Sequence, residues 1–338
     1  MPISRPGAAF LAACLLSCAA RADPVDGATR AQVVELLAAR MAQHYVSADT
    51  GARVAAALRA DLAQRRYEGV DDAEAFAQRL TERVVALSGD EHAGVLYAAQ
   101  ALAPDNPPGF VPDPGRTDLE GWLRRHERQL RAAQARSFGF PDSRRLDGNL
   151  AYVRIDAFPE PALAGPTLKA EMARVADAAA LILDLRENGG GSADTVALLC
   201  AWLFDDVPVH LGDQVARGIG RVQPMWTQPV ASDLRFGSRK PVYVLVGPET
   251  FSAAENLAYT LQALGRAVVV GARTRGGAHG ANGFRLAEHF LGSIPSRRTV
   301  NAVTGTDWER TGVRPDVATA PAAALQAAVA LARGATAP

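Results

Sequence analysis

The chain has 338 residues, of which 48% are hydrophobic and 21% charged, and its 36 Lys and Arg residues balance 36 Asp and Glu residues. This composition predicts a globular protein long enough for two domains. Because the formal net charge is zero, no overall field favours nucleic acid or an anionic membrane surface, and neither partner is expected.

The first residues predict an export signal. Arg5 precedes an almost wholly apolar run at 8–20, and small residues at 20 and 22 suit cleavage after Ala22. The alternative is a lipoprotein signal, because Leu-Leu-Ser-Cys ending at Cys18 resembles a lipobox and would leave Cys18 acylated. Both readings predict an exported protein, periplasmic or secreted, and the first places the signal peptide at 1–22. No later run is long enough to span a membrane.

Three segments between residues 28 and 87 carry apolar residues at helical spacing and predict a small helical domain at 23–102. A proline-rich stretch then breaks this periodicity, and a polar helix is predicted at 119–135. The interval 103–147 is therefore interpreted as a linker with one helix.

From residue 148 to about 335 the pattern changes to strands alternating with helices, which predicts an α/β domain. The strands are continuous apolar runs, as expected where both faces of a sheet are covered. Strands are predicted at 150–155, 180–185, 242–246 and 267–270, and helices at 167–176, 193–204 and 253–264. Cys200, inside one of these helices, is expected to be a buried, inert thiol.

The segment Pro241–Glu255 reads as a buried strand, a turn, Ser252 and a helix start. A serine at such a junction can act as a nucleophile, with the amide of Ala253 directed toward an oxyanion. Ser252 and Glu255 also form the pattern of a capping box, in which the serine only caps the helix. Both interpretations stay open on this segment alone.

A glycine-rich loop, Asp184–Ser192, follows another apolar strand and also leads into a helix. Its three adjacent glycines would let backbone amides approach an anion. The loop lacks the Lys of a phosphate-binding P-loop and the spacing of a dinucleotide fingerprint. A tight structural turn is the alternative interpretation.

Four motifs in order resemble the C-terminal processing peptidase superfamily. They are Gly-Asn-Leu-Ala-Tyr-Val-Arg-Ile at 148–155, Asp-Leu-Arg-Glu-Asn-Gly-Gly-Gly at 184–191, Thr-Phe-Ser-Ala-Ala-Glu at 250–255 and Trp-Glu-Arg-Thr-Gly-Val-Arg-Pro-Asp at 308–316. The helical start, ending in Leu-Ser-Gly-Asp-Glu-His at 87–92, is similar to the tricorn-core and interphotoreceptor-retinoid-binding-protein branch.

This resemblance implies a crotonase-like α/β catalytic domain behind a small helical bundle, and hydrolysis of peptide bonds in peptides or unfolded proteins. It implies no cofactor, and no metal-binding motif occurs in the sequence. The interval 96–147 is too short and too proline-rich for the PDZ module of many relatives. A catalytically silent protein that binds hydrophobic ligands or peptides on the same fold is the alternative function.

The resemblance also assigns roles to residues. The nucleophile corresponds to Ser252, and the oxyanion donors correspond to the amides of Gly190 and Ala253. The base of Ser-Lys members would stand at Gly277, so a lysine mechanism is not expected.

Tricorn-like members use a histidine and a glutamate that correspond to His92 and Glu309, and a neutral imidazole suits a general base. The serine that precedes this histidine in such sites is replaced here by Glu91. His279, near the position of the missing lysine, is a rival base.

Four arginines in the loops after the nucleophile's helix could bind a terminal carboxylate of a peptide. They are Arg273, Arg275, Arg297 and Arg298. Solvated surface side chains are the alternative interpretation. Arg273 and Arg275 cannot replace the lysine base, since a guanidinium does not accept a proton.

Overall fold

A computed structural model describes residues 24–102, 130–217, 222–228, 230 and 234–336. The predicted signal peptide, most of the proline-rich linker and most of the helix predicted at 119–135 lie outside these ranges. None of the helices in the described ranges is both long enough and apolar enough to cross a membrane.

Strands and helices alternate at 150–203 and again at 242–271 as predicted, whereas the strands at 210–226 and 279–301 were not predicted. The α-helices are α1 (Gly27–His44), α2 (Ala48–Ala63), α3 (Ala73–Ser88), α4 (Pro161–Val175), α5 (Ala193–Leu203), α6 (Ala253–Ala263) and α7 (Ala324–Thr336). The strands are β1 (Gly94–Tyr97), β2 (Asp142–Leu146), β3 (Leu150–Arg154), β4 (Ala180–Asp184), β5 (His210–Ala216), β6 (Val222–Trp226), β7 (Val242–Val246), β8 (Val268–Gly271), β9 (His279–Ala287), β10 (Phe290–Asn301) and β11 (Val317–Ala318).

A six-stranded sheet in the order β11-β8-β7-β4-β3-β2 forms the centre of the α/β part. Its strands β3, β4, β7 and β8 run parallel. Alternate residues of β4 enter different cores: Leu181 and Leu183 pack with α4, α5 and α6, whereas Ile182 packs with α7. Because both faces are covered, the parallel strands β3, β4, β7 and β8 are mostly apolar, which confirms the predicted α/β arrangement.

A second sheet has the order β1-β10-β5-β6, with β9 also paired to β10. Helices α1, α2 and α3 bury their apolar faces in one cluster with side chains of β9 and β10, among them Leu286, Phe290 and Ile294. Strand β1 follows α3 and pairs with β10. The N-terminal region therefore shares a core and a sheet with the C-terminal half, while the exact domain limits stay predictions.

The connection from α3 to β1 brings Asp90 and His92 to the interior, while Glu91 between them is exposed. Gly89 ends α3 in the left-handed conformation, with φ 69°, which turns the chain away from the helix axis. Asp90 is completely buried. The carbonyl oxygen of His92 accepts a hydrogen bond from the Ser293 hydroxyl of β10, 2.7 Å away.

Candidate active site

Ser252 occupies the sharp junction between β7 and α6 in an unusual backbone conformation, with φ 56° and ψ −118°. The residues that cap α1, α2 and α3, namely Asp26, Ser47 and Asp72, are all extended with negative φ, as capping residues normally are. A positive φ at a residue other than glycine costs about 1–3 kcal/mol. The backbone of Ser252 therefore matches the strained strand-turn-helix geometry of a nucleophile and differs from that of an ordinary cap.

Glu255 holds this turn in place from inside the protein. Its buried carboxylate accepts hydrogen bonds from the N–H groups of Ser252 (2.9 Å), Gly276 (2.7 Å) and Gly277 (2.8 Å), and from the Thr274 hydroxyl. The Glu255 carboxylate thus makes the capping-box hydrogen bond to the backbone N–H of Ser252. It also ties the turn of Ser252 to the loop at 274–277.

The glycine-rich loop lies directly against the nucleophile. A Cβ atom on Gly190, where φ is 106°, would lie 2.8 Å from Cβ of Ser252 and 3.1 Å from the nitrogen of Ala253. The N–H of Gly190, a predicted oxyanion donor, donates to Oδ1 of Asn188 at 2.8 Å. In the described part of the chain, the N–H of Gly191 donates no backbone hydrogen bond.

A cavity of about 260 Å³ opens beside Ser252, between the α/β part and the second sheet. Its lining includes Gly191 and Ala253 from the first part, and His279 and Arg297 from the second. Most lining side chains are polar or charged. The cavity therefore suits a polar chain such as a peptide better than a hydrophobic ligand.

His92 lies beside the nucleophile's turn. Its ring stacks on Phe251, with centroids 4.4 Å apart. A Cβ on Gly277 would lie 2.7 Å from Cε1 of His92 and 2.2 Å from a ring carbon of Phe251. The two rings thus fill the space into which any side chain at position 277, such as the lysine of Ser-Lys members, would extend.

Both ring nitrogens of His92 are buried, and neither has a hydrogen-bond partner among the residues described. The ring is therefore not bonded to the Ser252 hydroxyl in this conformation. Burial lowers the pKa of His92 below its ordinary value, and the charge of Asp90 offsets this only in part. A neutral imidazole is the favoured form at neutral pH.

His279 also lies near the nucleophile, at the start of β9. Its Nδ1 is 2.7 Å from Oδ2 of Asp90 and 3.7 Å from Oε2 of Glu309. Burial acts to lower the pKa of His279, but the hydrogen bond to Asp90 and the charge of Glu309 outweigh it and raise the pKa. His279 therefore favours the protonated form more than His92 does.

The expected pairing of Glu309 with His92 is replaced by two other contacts. Glu309 lies beside His279, and its Oε2 accepts the N–H of Ala278 at 2.7 Å. The carboxylate beside His92 is Asp90, whose Oδ1 is 3.8 Å from Nδ1 of that ring. The sequence reasoning missed Asp90, although it stands only two residues before His92.

Asp90, His279 and Glu309 have potential metal-ligand atoms within 4.8 Å of one another. The protein already supplies Asp90 with three donors: the His92 N–H at 2.9 Å, the Tyr45 hydroxyl at 3.1 Å and His279. Because these donors already satisfy the Asp90 carboxylate, the three residues have the pattern of a hydrogen-bond network.

The arginines predicted near the site separate into different environments. Arg275 pairs with Glu91 at 2.5 Å and lies over the Phe251 ring, 4.9 Å from its centroid. Glu91 thus contacts Arg275, and it does not link Glu309 to His92. Arg297 lines the cavity of Ser252.

Cys200 is fully buried in α5, where burial raises its pKa to about 12, as expected for an inert thiol.

Comparison with known proteins shows relatives in sequence and in fold. Carboxyl-terminal-processing peptidase 2, chloroplastic, of Arabidopsis thaliana is 27% identical over 195 residues, which make up 57% of this chain but only 36% of that protein. A lipoprotein from Streptococcus agalactiae has a similar fold, with a TM-score of 0.57 and 14% identity over 92% of this chain and 98% of that one. A candidate peptidase from Parabacteroides merdae gives a TM-score of 0.58 and 19% identity over 91% and 99% of the two chains.

Two family descriptions match the chain itself. Residues 28–119 match the N-terminal domain of peptidase S41 in eukaryotic IRBP. Residues 149–319, which include the nucleophile's turn, the glycine-rich loop and Glu309, match peptidase family S41. This chain therefore belongs to peptidase family S41.

Proposed function

We propose that this protein is an exported serine peptidase with Ser252 as its nucleophile. The observation that carries the proposal is the strained backbone of Ser252 at a strand-helix junction, on the wall of a polar cavity. Membership of a peptidase family supports it. Export is supported by the signal-like segment at 1–22.

Backbone amides would stabilise the oxyanion that forms when Ser252 attacks a carbonyl carbon. Ala253 begins α6, so its N–H lies at a helix N-terminus, where partial positive charge accumulates. Because the N–H of Gly190 is engaged with Asn188, we assign the second donor to Gly191, whose N–H donates no backbone hydrogen bond in the described ranges.

We assign the general base to His92. Its ring fills the space of the missing lysine, and burial keeps it neutral, so it can accept a proton. Two buried ring nitrogens without partners are costly, and a substrate complex that brings Ser252 into hydrogen-bond distance would satisfy one of them. Catalytic hydrogen bonds are often formed only in such complexes.

Asp90 would then stabilise the imidazolium form of His92. Its Oδ1 faces Nδ1 of His92, while its Oδ2 is held by His279 and Tyr45. In this assignment His279 and Glu309 are positioning residues that act through Asp90.

The reaction would follow two steps. The Ser252 oxygen bonds to the carbonyl carbon as its proton passes to His92, and the peptide C–N bond breaks as His92 returns that proton to the leaving amine. Water then attacks the acyl ester and gives its proton to His92. The ester C–O bond then breaks as His92 passes this proton to the Ser252 oxygen, so the carboxylic acid leaves and the Ser252 hydroxyl is restored.

A fluorophosphonate probe tests the proposal directly. We expect stoichiometric labelling of the mature protein, with the modified residue identified as Ser252 by mass spectrometry of the digested protein, and hydrolysis of an unfolded protein such as casein. The Ser252→Ala variant is the control that must remain unlabelled. Absence of both labelling and hydrolysis would favour the silent binding protein.

The pH profile of kcat/KM distinguishes the two histidines. If His92 is the base, its lowered pKa places the acidic limb below pH 6.5, because activity is lost only once the ring is protonated. If His279 were the base, its raised pKa would place the limb above pH 6.5. Glu91, Asp90, His279 and Arg275 are the charged groups that act on His92.

Matched variants check the same assignment. His92→Gln should lower kcat/KM by about 10³-fold or more and remove the acidic limb. His279→Gln should retain measurable turnover. Its acidic limb should move to higher pH, because the positive charge of His279, which lowers the pKa of His92, is lost. The opposite ranking of the two variants would move the base to His279.

Gly277→Ala should reduce kcat/KM by about 100-fold, because its Cβ would displace His92 and Phe251, and small misplacements of catalytic groups have effects of this size. Gly247→Ala is the matched control, since a Cβ there meets only ordinary contacts at 3.7 Å and beyond. Kinetics of both variants, with circular dichroism to confirm folding, check the prediction. Equal activity in the two variants would contradict the placement of His92.

A further inference from the structure

Arg297 lines the cavity of Ser252 and has no anionic partner in the described part of the chain. Arg154 pairs with Asp156, Arg186 with Asp184, and Arg275 with Glu91. The side chain of Arg297 forms no hydrogen bond or ion pair with any residue of the described chain, and its Nε is buried without a partner. A guanidinium left in this state lacks the acceptor that it would normally have in a folded protein.

The backbone around Arg297 leaves room for its side chain at the cavity. Arg297 lies on β10, paired with Gly280 of β9 and Ala216 of β5. A Cβ on Gly280 would lie 3.2 Å from Nε and 3.5 Å from Nη2 of Arg297, so the guanidinium crosses the space above this glycine. Gly280, Arg297 and Ser252 all line the same cavity.

The charges of the cavity are divided between its two sides. Glu160 precedes α4 and Asp194 lies in the first turn of α5, so both carboxylates belong to the α/β part. Glu160 accepts a hydrogen bond from the Ser192 hydroxyl at 3.0 Å. Neither carboxylate pairs with Arg297, which comes from the second sheet. An anionic group of a substrate would be repelled by the first side and attracted by the second.

We propose that Arg297 binds a carboxylate of the peptide substrate and so determines which peptides are cleaved at Ser252. This inference rests on the proposed function and names its substrate class. A guanidinium binds a carboxylate through two parallel N–H···O bonds. The carboxylate is either the free C-terminus of the peptide or an Asp or Glu side chain.

Two matched pairs of fluorogenic peptides distinguish these sources. One pair differs only in a free or amidated C-terminus, and the other replaces a single Glu by Gln in an amidated peptide, scanned through the positions on both sides of the cleaved bond. For the wild-type protein we expect kcat/KM to be at least about tenfold higher for the carboxylate member of one pair, as expected for hydrogen bonds to a charged group.

Arg297→Gln should lower kcat/KM for that member by about 10- to 100-fold and leave its neutral counterpart within about twofold of the wild-type value. Arg298→Gln is the matched control, because this neighbouring arginine is exposed and lines a different cavity. It should leave the preference unchanged. Arg297→Lys should recover part of the preference, since it keeps the charge and loses the planar pair of donors.

Binding to the Ser252→Ala protein, measured by fluorescence anisotropy, gives a readout that needs no turnover. We expect the carboxylate peptide to bind more tightly than its neutral counterpart, and the difference to disappear when Arg297→Gln is added. Equal binding of both peptides, or an equal loss for both on Arg297→Gln, would overturn the proposal. Absent fluorophosphonate labelling together with a retained binding preference would instead refute only the peptidase function.

Discussion

Replacing Ser252 by alanine is expected to reduce kcat for peptide hydrolysis by about 10⁶-fold, as expected when the nucleophile of a serine peptidase is removed. The loss should be this large because the other hydroxyl of this turn, that of Thr250, is buried and donates to the carbonyl oxygen of Leu185. Steady-state kinetics with an active-site titration of the wild-type protein measure the loss. Turnover within about tenfold of the wild-type rate would exclude Ser252 as the nucleophile.

A second variant at the same position separates function from stability. Ser252→Gly also lacks the hydroxyl, but glycine adopts φ 56° without strain. The strain that glycine relieves should exceed its entropic cost. We therefore expect Ser252→Gly to be the more stable variant, with a free energy of unfolding about 1 kcal/mol higher than that of Ser252→Ala. Urea titration of both inactive proteins checks this. Equal stabilities would mean that the positive φ is not strained.

The α/β part of the fold could be predicted because its strands carry a strong signal. Strands β4 and β7 are buried on both faces, so they appear as unbroken apolar runs with few alternatives. Strand β9 was not predicted. Most of its residues are only partly buried, and those that line the cavity are polar or glycine, so neither alternation nor an apolar run is visible in His279–Ala287.

The candidate site was predictable to a different degree for each residue. The strand-turn-helix pattern around Ser252 is local, and so a sequence reading can find it. The network of Asp90 with His279 joins residues 189 positions apart in the chain, and it depends on the turn at Gly89 and on the pairing of β1 with β10. Because the resemblance supplied Glu309 as the acid, the nearer carboxylate of Asp90 was overlooked.

The second large effect is expected at Glu255, which makes no proposed contact with substrate. Four donors converge on its two carboxylate oxygens, from Ser252, Gly276, Gly277 and Thr274. Gln at this position has only one acceptor oxygen, so its NH₂ group would face two of these donors. Each buried donor left without an acceptor costs about 1–3 kcal/mol, and we expect Glu255→Gln to lower the free energy of unfolding by about 2–4 kcal/mol.

The same substitution should also lower kcat/KM by about 100-fold, since it loosens the link between the turn of Ser252 and the loop beside His92. Urea unfolding and peptide kinetics measure the two effects. Glu249→Gln is the matched control, because Glu249 is exposed in the same turn and should change neither quantity. If Glu255→Gln retained wild-type stability and activity, the nucleophile's geometry would have to be maintained by the backbone alone, and the buried carboxylate would need another explanation.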